Sequence, residues 1–205
     1  MIVMKTRFEQ ITEKIEELYL ELDQELKEKR EEFSYSFKNG RVKFDSAVQQ
    51  YQKKFRKDWI LGALRAPAMY IITAPFIYVC FIGFLMVDIL VSLYQTICFP
   101  VYGIPKVKRK EFVVHDRHKL QYLNIIEKIN CEYCAYGNGV LAYASEISSR
   151  TELFWCPIKH SKTPRRYHER YVEFIDYGDG ESYRARIGKL RDKCRACDGC
   201  QSTEN

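Results

Sequence analysis

The sequence predicts a mainly α-helical, membrane-anchored protein with a small C-terminal helical domain stapled by a metal ion. Three observations carry that reading. The stretch from Ala66 to Pro105 contains no Lys or Arg and a single charge, Asp88. About 20 apolar residues already span a bilayer, so such a run is not that of an ordinary soluble core helix. The segments on either side show apolar residues at helical spacing among many charges. Downstream, Cys131-Glu-Tyr-Cys134 and Cys156-Pro-Ile-Lys-His160 form a set of metal-ligand residue types. These features divide the chain into an N-terminal helical region (1–64), a membrane segment (65–105) and a Cys/His domain with a Cys-rich tail (106–205).

The 205 residues carry a net charge of +6. The mean hydropathy of −0.36 averages two opposite populations and conceals the apolar run. Basic residues crowd both ends of that run: Lys53, Lys54, Arg56 and Lys57 before it, Lys106, Lys108, Arg109 and Lys110 after it. Their position reads as a topological signal and a contact for anionic lipid. No basic-aromatic platform or nucleic-acid motif accompanies them, so a nucleic-acid partner is not expected. Met1–Arg7 leads into an acidic amphipathic segment rather than an apolar core, and no cleavable signal peptide is expected.

From Lys5 to Glu32, Phe8, Ile11, Ile15, Leu18 and Leu22 recur at spacings of three and four. That stripe predicts an amphipathic helix that packs on its own protein or forms a short dimerising coiled coil. Between Phe33 and Phe44, apolar and polar residues alternate around Asn39-Gly40, the strongest short hairpin signal. Residues 45–64 return to a helical pattern, and Trp59 stands where an interfacial aromatic belongs.

The apolar segment is about twice the length one span needs. It fits either a single tilted helix from Ala68 to Ile89 with an interfacial continuation, or a hairpin of two short arms broken near Gly83. Basic flanks at both ends favour the hairpin, which keeps them on one side. Pro75 lies within the first arm. Asp88 is costly in hydrocarbon, and no basic partner lies within the segment, so it is expected to cap the second arm or sit near the interface.

After Pro100, Gly103 and Pro105, Asp116 is an expected N-cap for a helix over 117–129. Residues 131–139, rich in Cys, Tyr and Gly, predict a turn. A helix over 140–155, a third segment over 165–174 and a last helix over 181–193 complete the pattern, with 176–180 as a turn.

The eight cysteines set the chemistry. Cys131, Cys134, Cys156 and His160 make C-x2-C-x21-C-x3-H, a set for which zinc is the default metal and an iron–sulfur cluster the alternative. An unbroken helix over 140–155 would be about 24 Å long and would hold the two pairs apart. His115 and His118 then offer a rival set with Cys156 and His160. The tail cysteines Cys194, Cys197 and Cys200 form C-x2-C-x2-C, a second metal or redox candidate. Glu146 and Glu152 do not share a helix face, and Ser145, Ser148 and Ser149 lack a nucleophile-elbow context. No catalytic residue is predicted.

The runs Tyr102-Gly-Ile-Pro105, Asn130-Cys-Glu-Tyr-Cys134-Ala-Tyr-Gly-Asn-Gly139, Thr151-Glu-Leu-Phe-Trp155-Cys-Pro-Ile-Lys-His160 and Tyr177-Gly-Asp together resemble a family of small bacterial inner-membrane proteins. The resemblance covers Arg65 to Tyr183 and implies a bacterial inner membrane and a common role for these cysteines. It implies no activity.

The sequence therefore leads to a membrane-anchored, zinc-binding scaffold or assembly factor with its soluble parts in the cytoplasm. Its expected partners are membrane lipid and either another protein or a second copy through the N-terminal helix. A membrane-bound redox protein using an iron–sulfur cluster or CxxC thiols is the runner-up. A metal-dependent enzyme at the membrane surface is the third reading.

Overall fold

The computed structural model describes residues 7–32, 35–38, 41–44, 46–58 and 67–196. It is mainly helical and divides into two compact units, residues 1–60 with 116–128 and residues 61–115 with 129–205. Trp59, Cys197 and Cys200 lie outside the described residues.

The first unit contains α1 (Arg7–Glu32), strands β1 (Tyr35–Lys38) and β2 (Arg41–Phe44), and α2 (Ser46–Lys53). The strands pair antiparallel with Phe37 opposite Val42 and Tyr35 opposite Phe44. On α1, Ile11, Ile15, Leu18 and Leu22 are all about half exposed, so the apolar stripe is uncovered. Asp116 opens only one 3-10 turn, Arg117–Lys119, without a side-chain cap. The expected helix begins later and is capped by Asn124. Asn124 Oδ1 accepts from the Glu127 amide at 3.0 Å, and Glu127 Oε2 accepts from the Asn124 amide at 2.8 Å. That reciprocal pair satisfies two otherwise orphaned donors.

The second unit is built on α3 (Ala68–Tyr102), continued by α4 (Ile125–Trp155, whose first turn belongs to the other unit) and α5 (Gly180–Ala196). Among the described residues, α3 is the one helix long and apolar enough to cross a membrane. It is unbroken, which corrects the expected break near Gly83. A lone Gly costs a helix about 1 kcal/mol and does not by itself turn the chain. No Asn, Asp or second Gly adjoins Gly83 to make a turn. Pro75 also lies inside the helix. The chain stops at Gly103, whose φ of 72° is left-handed. Gly103 N–H donates to Pro100 O and Ile104 N–H to Phe99 O, while Ile104 and Phe99 bury together. That pairing closes the helix end with a backbone few residues but Gly adopt readily.

The contacts Tyr78–Tyr133, Phe84–Gly137, Ser92–Tyr143, Tyr94–Thr151 and Tyr102–Phe154 advance together along both helices. α3 and α4 therefore run parallel. Residues 103–115 return along the pair, from Pro105 beside Arg150 to His115 beside Glu132. The expected turn at 131–139 is instead the interior of α4. Its glycines serve close packing: a Cβ on Gly137 would lie 2.7 Å from the Phe84 ring, and one on Gly139 would lie 2.8 Å from Phe112 O.

The main core joins Phe99 of α3, Ile104 and Val107 of the return segment, Tyr143 and Ile147 of α4, Tyr171, Phe174 and Ile175 of the following loop, and Leu190 and Cys194 of α5. The expected helix over 165–174 is only a short 3-10 turn, Glu169–Glu173. α5 is capped by Asp179, whose Oδ1 accepts from the Ser182 amide at 2.9 Å. The Ser182 hydrogen bonds hold this carboxyl below its ordinary range. Arg191 donates to Phe154 O and Arg195 to Tyr102 O. α5 thus places cations on the last carbonyls of both parallel helices, where the helix dipoles favour positive charge.

Candidate functional site

Two of the expected zinc ligands sit on one long helix, and its continuity sets them apart from the other two. Cys131 and Cys134 are one turn apart within α4, while Cys156 follows its last residue. Twenty-five residues at 1.5 Å each separate Cys131 from Cys156 by about 37 Å. His160 lies beyond Cys156 with its amide donating to the Tyr171 hydroxyl at 2.8 Å. The four residues of the expected zinc set are therefore not brought together within one chain. The physical reason is the one already stated for 140–155, strengthened because the helix also absorbs the CxxC.

The rival set does not form either. His115 Nδ1 lies 2.7 Å from Glu132 Oε2, near the Cys131 end of α4, and His118 lies in the first unit. Cys194 is buried with its thiol donating to Arg150 O at 3.5 Å. Among the described residues, no group of three or more His, Cys, Asp or Glu side chains is placed to hold a metal ion. Cys156 is exposed. Partial desolvation and the nearby Glu152 charge push its thiol up, so it carries less thiolate than an ordinary Cys.

What the sequence left unpaired, the fold pairs. Asp88 accepts from Arg109 Nε at 2.9 Å and Nη2 at 2.6 Å, and from the Tyr136 hydroxyl at 2.9 Å. The carboxylate is buried mid-helix rather than at a cap or loop, and its cation comes from the return segment. Gln95, the lone amide in the apolar run, is buried two turns farther along the same face. Its Oε1 accepts from the Val107 amide at 2.9 Å and its Nε2 donates to Val107 O and the Tyr143 hydroxyl. One side chain thereby satisfies both backbone groups of a buried residue in the irregular return segment.

A second network lies farther along α4. Glu146 accepts from Arg150 Nε at 2.8 Å and from both terminal nitrogens of Arg170 at 2.7 Å. Arg150 also donates to Pro105 O at 2.8 Å. Burial alone would push the Glu146 carboxyl up, but the hydrogen bonds and charges of Arg170 and Arg150 outweigh it and hold it below the ordinary value. Glu152 meets His168 Nε2 at 3.0 Å. The sequence signal for the first of these was the Glu146–Arg150 spacing of four. Arg170 carried none.

These polar groups consume one another: Asp88 and Glu146 are each held by an arginine from another segment, which fixes the return segment on α3 and the 168–173 loop on α4. The chain matches no family model, no curated protein and no solved structure.

Proposed function

We propose that the protein is a membrane-anchored interaction scaffold of a bacterial inner membrane, with its C-terminal domain at the cytoplasmic face. One observation carries this reading. The helix that is apolar enough to anchor the chain is also part of the domain's core, with Phe99 fully buried and Asp88 and Gln95 nearly so. The anchor therefore holds the domain in a fixed orientation, without a linker. Such a design suits a protein that presents a surface at a set height above lipid. The exposed stripe of α1 supplies a second surface, for a protein partner or a second copy.

Apolar side chains and internal ion pairs close the domain core, which supports a fold that stands without a zinc staple. Cys131 and Cys134 stay available to a metal only together with ligands from elsewhere. Two measurements test the reading. Carbonate washing should leave the full-length protein in the membrane pellet, and release into the supernatant would remove the anchor. A chelator should leave far-ultraviolet circular dichroism unchanged, and a large loss of helicity would restore the metal-stapled domain.

A further inference from the structure

The second half of α3 has two faces of opposite kind. Asp88, Gln95 and Phe99 point into the domain, while Ile82, Met86, Ile89, Leu93, Ile97 and Val101 are each more than half exposed. At 3.6 residues per turn the exposed set falls within about 120° of arc, and no charge lies on it. Over Ala68–Phe76 the helix is instead apolar and exposed almost all round, and from Ile77 onward α4 runs beside it.

The length of α3 does not fit an upright span. Its 35 residues extend about 52 Å, against roughly 30 Å of hydrocarbon. Full immersion would require a tilt near 55°, beyond the 0–40° range of membrane helices. The second half is also accompanied by charge at the same level: Arg109 beside Asp88, and Lys106, Lys108 and Lys110 along the return segment. Those groups exclude this half from the hydrocarbon centre, yet its outer face is too apolar for water.

We infer that α3 lies obliquely at the membrane surface, its first turns reaching deeper into the bilayer and its Ile82–Val101 face in contact with the acyl chains. The domain rides on the opposite face as a solvent-side cover. Continuity with the all-round apolar segment favours lipid as the occupant. The exposed lysines of the return segment add attraction to anionic headgroups and would repel a second copy of the same face. This inference rests on the membrane reading above and adds a depth and an orientation to it.

Tryptophan quenching by brominated phospholipids tests it, in full-length protein reconstituted into phosphatidylcholine vesicles containing phosphatidylglycerol. The background carries Trp59→Phe and Trp155→Phe, and Ile77→Trp and Leu93→Trp are introduced singly. Leu93 is on the exposed face, so its replacement removes no core contact. The expected result is strong quenching in both variants. Bromines near the headgroup should roughly halve the L93W emission, and those near the chain ends should act less, as for an indole about 5–10 Å deep. Quenching of I77W without L93W overturns the inference and leaves the anchor standing. An L93W emission that is blue-shifted but unquenched also overturns it, because a protein surface then covers the face. Quenching of neither variant overturns the inference together with the membrane reading.

Discussion

Gly139→Ala tests the packing of the return segment against α4 directly. The substitution adds one methyl group to a helix interior, where Ala is favoured over Gly by up to about 1 kcal/mol. In isolation it should therefore stabilise. Here the added carbon would lie 2.8 Å from Phe112 O and 2.9 Å from Val113 Cα. Both are backbone atoms, so neither can rotate away, and the segment that carries Arg109 to Asp88 must shift. Overpacking of this kind typically costs about 1–3 kcal/mol, which exceeds the propensity gain.

The net expectation is a destabilisation near 1 kcal/mol, or a fall of roughly 2–4 °C in Tm for a chain of this size. Gly188→Ala is the control. It lies on an exposed position of α5 with nothing within 4 Å of the added carbon, and should raise Tm by a similar amount. Thermal unfolding of the full-length protein in detergent, followed at 222 nm, reads both. If G139A stabilises as much as G188A, the return segment does not lie against α4, and the close-approach explanation for this glycine is wrong.

Three further outcomes follow from the polar networks. A double-mutant cycle on Asp88→Asn and Arg109→Met should give a coupling on the order of 1 kcal/mol, reduced because the Arg109 side chain is 42% exposed; a coupling near zero would place Asp88 with another partner. The depressed Glu146 carboxyl stabilises the fold fully above its ordinary value of 4.5 and loses that contribution as pH falls below it. Acid titration of Glu146→Gln should therefore show a shallower loss of stability below pH 4.5 than the parent, and parallel curves would contradict the assignment. At Cys156, a raised thiol predicts slow alkylation at neutral pH and a faster rate in Glu152→Gln, measured on a variant keeping only that cysteine.

The helical class, the apolar segment and the end of α4 at Trp155 were legible because periodicity and charge report them directly. What failed was the reading of glycine and cysteine as punctuation. Cys131, Cys134, Gly137 and Gly139 look like a metal knuckle in a turn only while no neighbour is known. Once Phe84 and Phe112 approach the helix, glycine at 137 and 139 is what the contact requires. The helical continuity that results then separates the very ligands the spacing had joined. Arg109 was likewise visible as a basic flank but not as the partner of Asp88, because that pairing depends on a return segment running between two parallel helices. Spacing in the sequence carries no information about such a path.

The two faces of α3 obey different rules, and this constrains what the anchor can be. A helix that only crosses a bilayer can exchange most apolar residues for others at little cost, since lipid has no fixed shape. One face of α3 instead meets a close-packed core, where Phe99 is fully buried and Gln95 must pair both backbone groups of Val107. Replacing α3 by a generic span of leucines would keep the membrane affinity but bury unpaired backbone groups at Val107. It would also leave Arg109 facing hydrocarbon-like side chains in place of a carboxylate. The anchor of this protein is thus part of its folding unit, and a change at its inner face acts on the domain before it acts on the membrane.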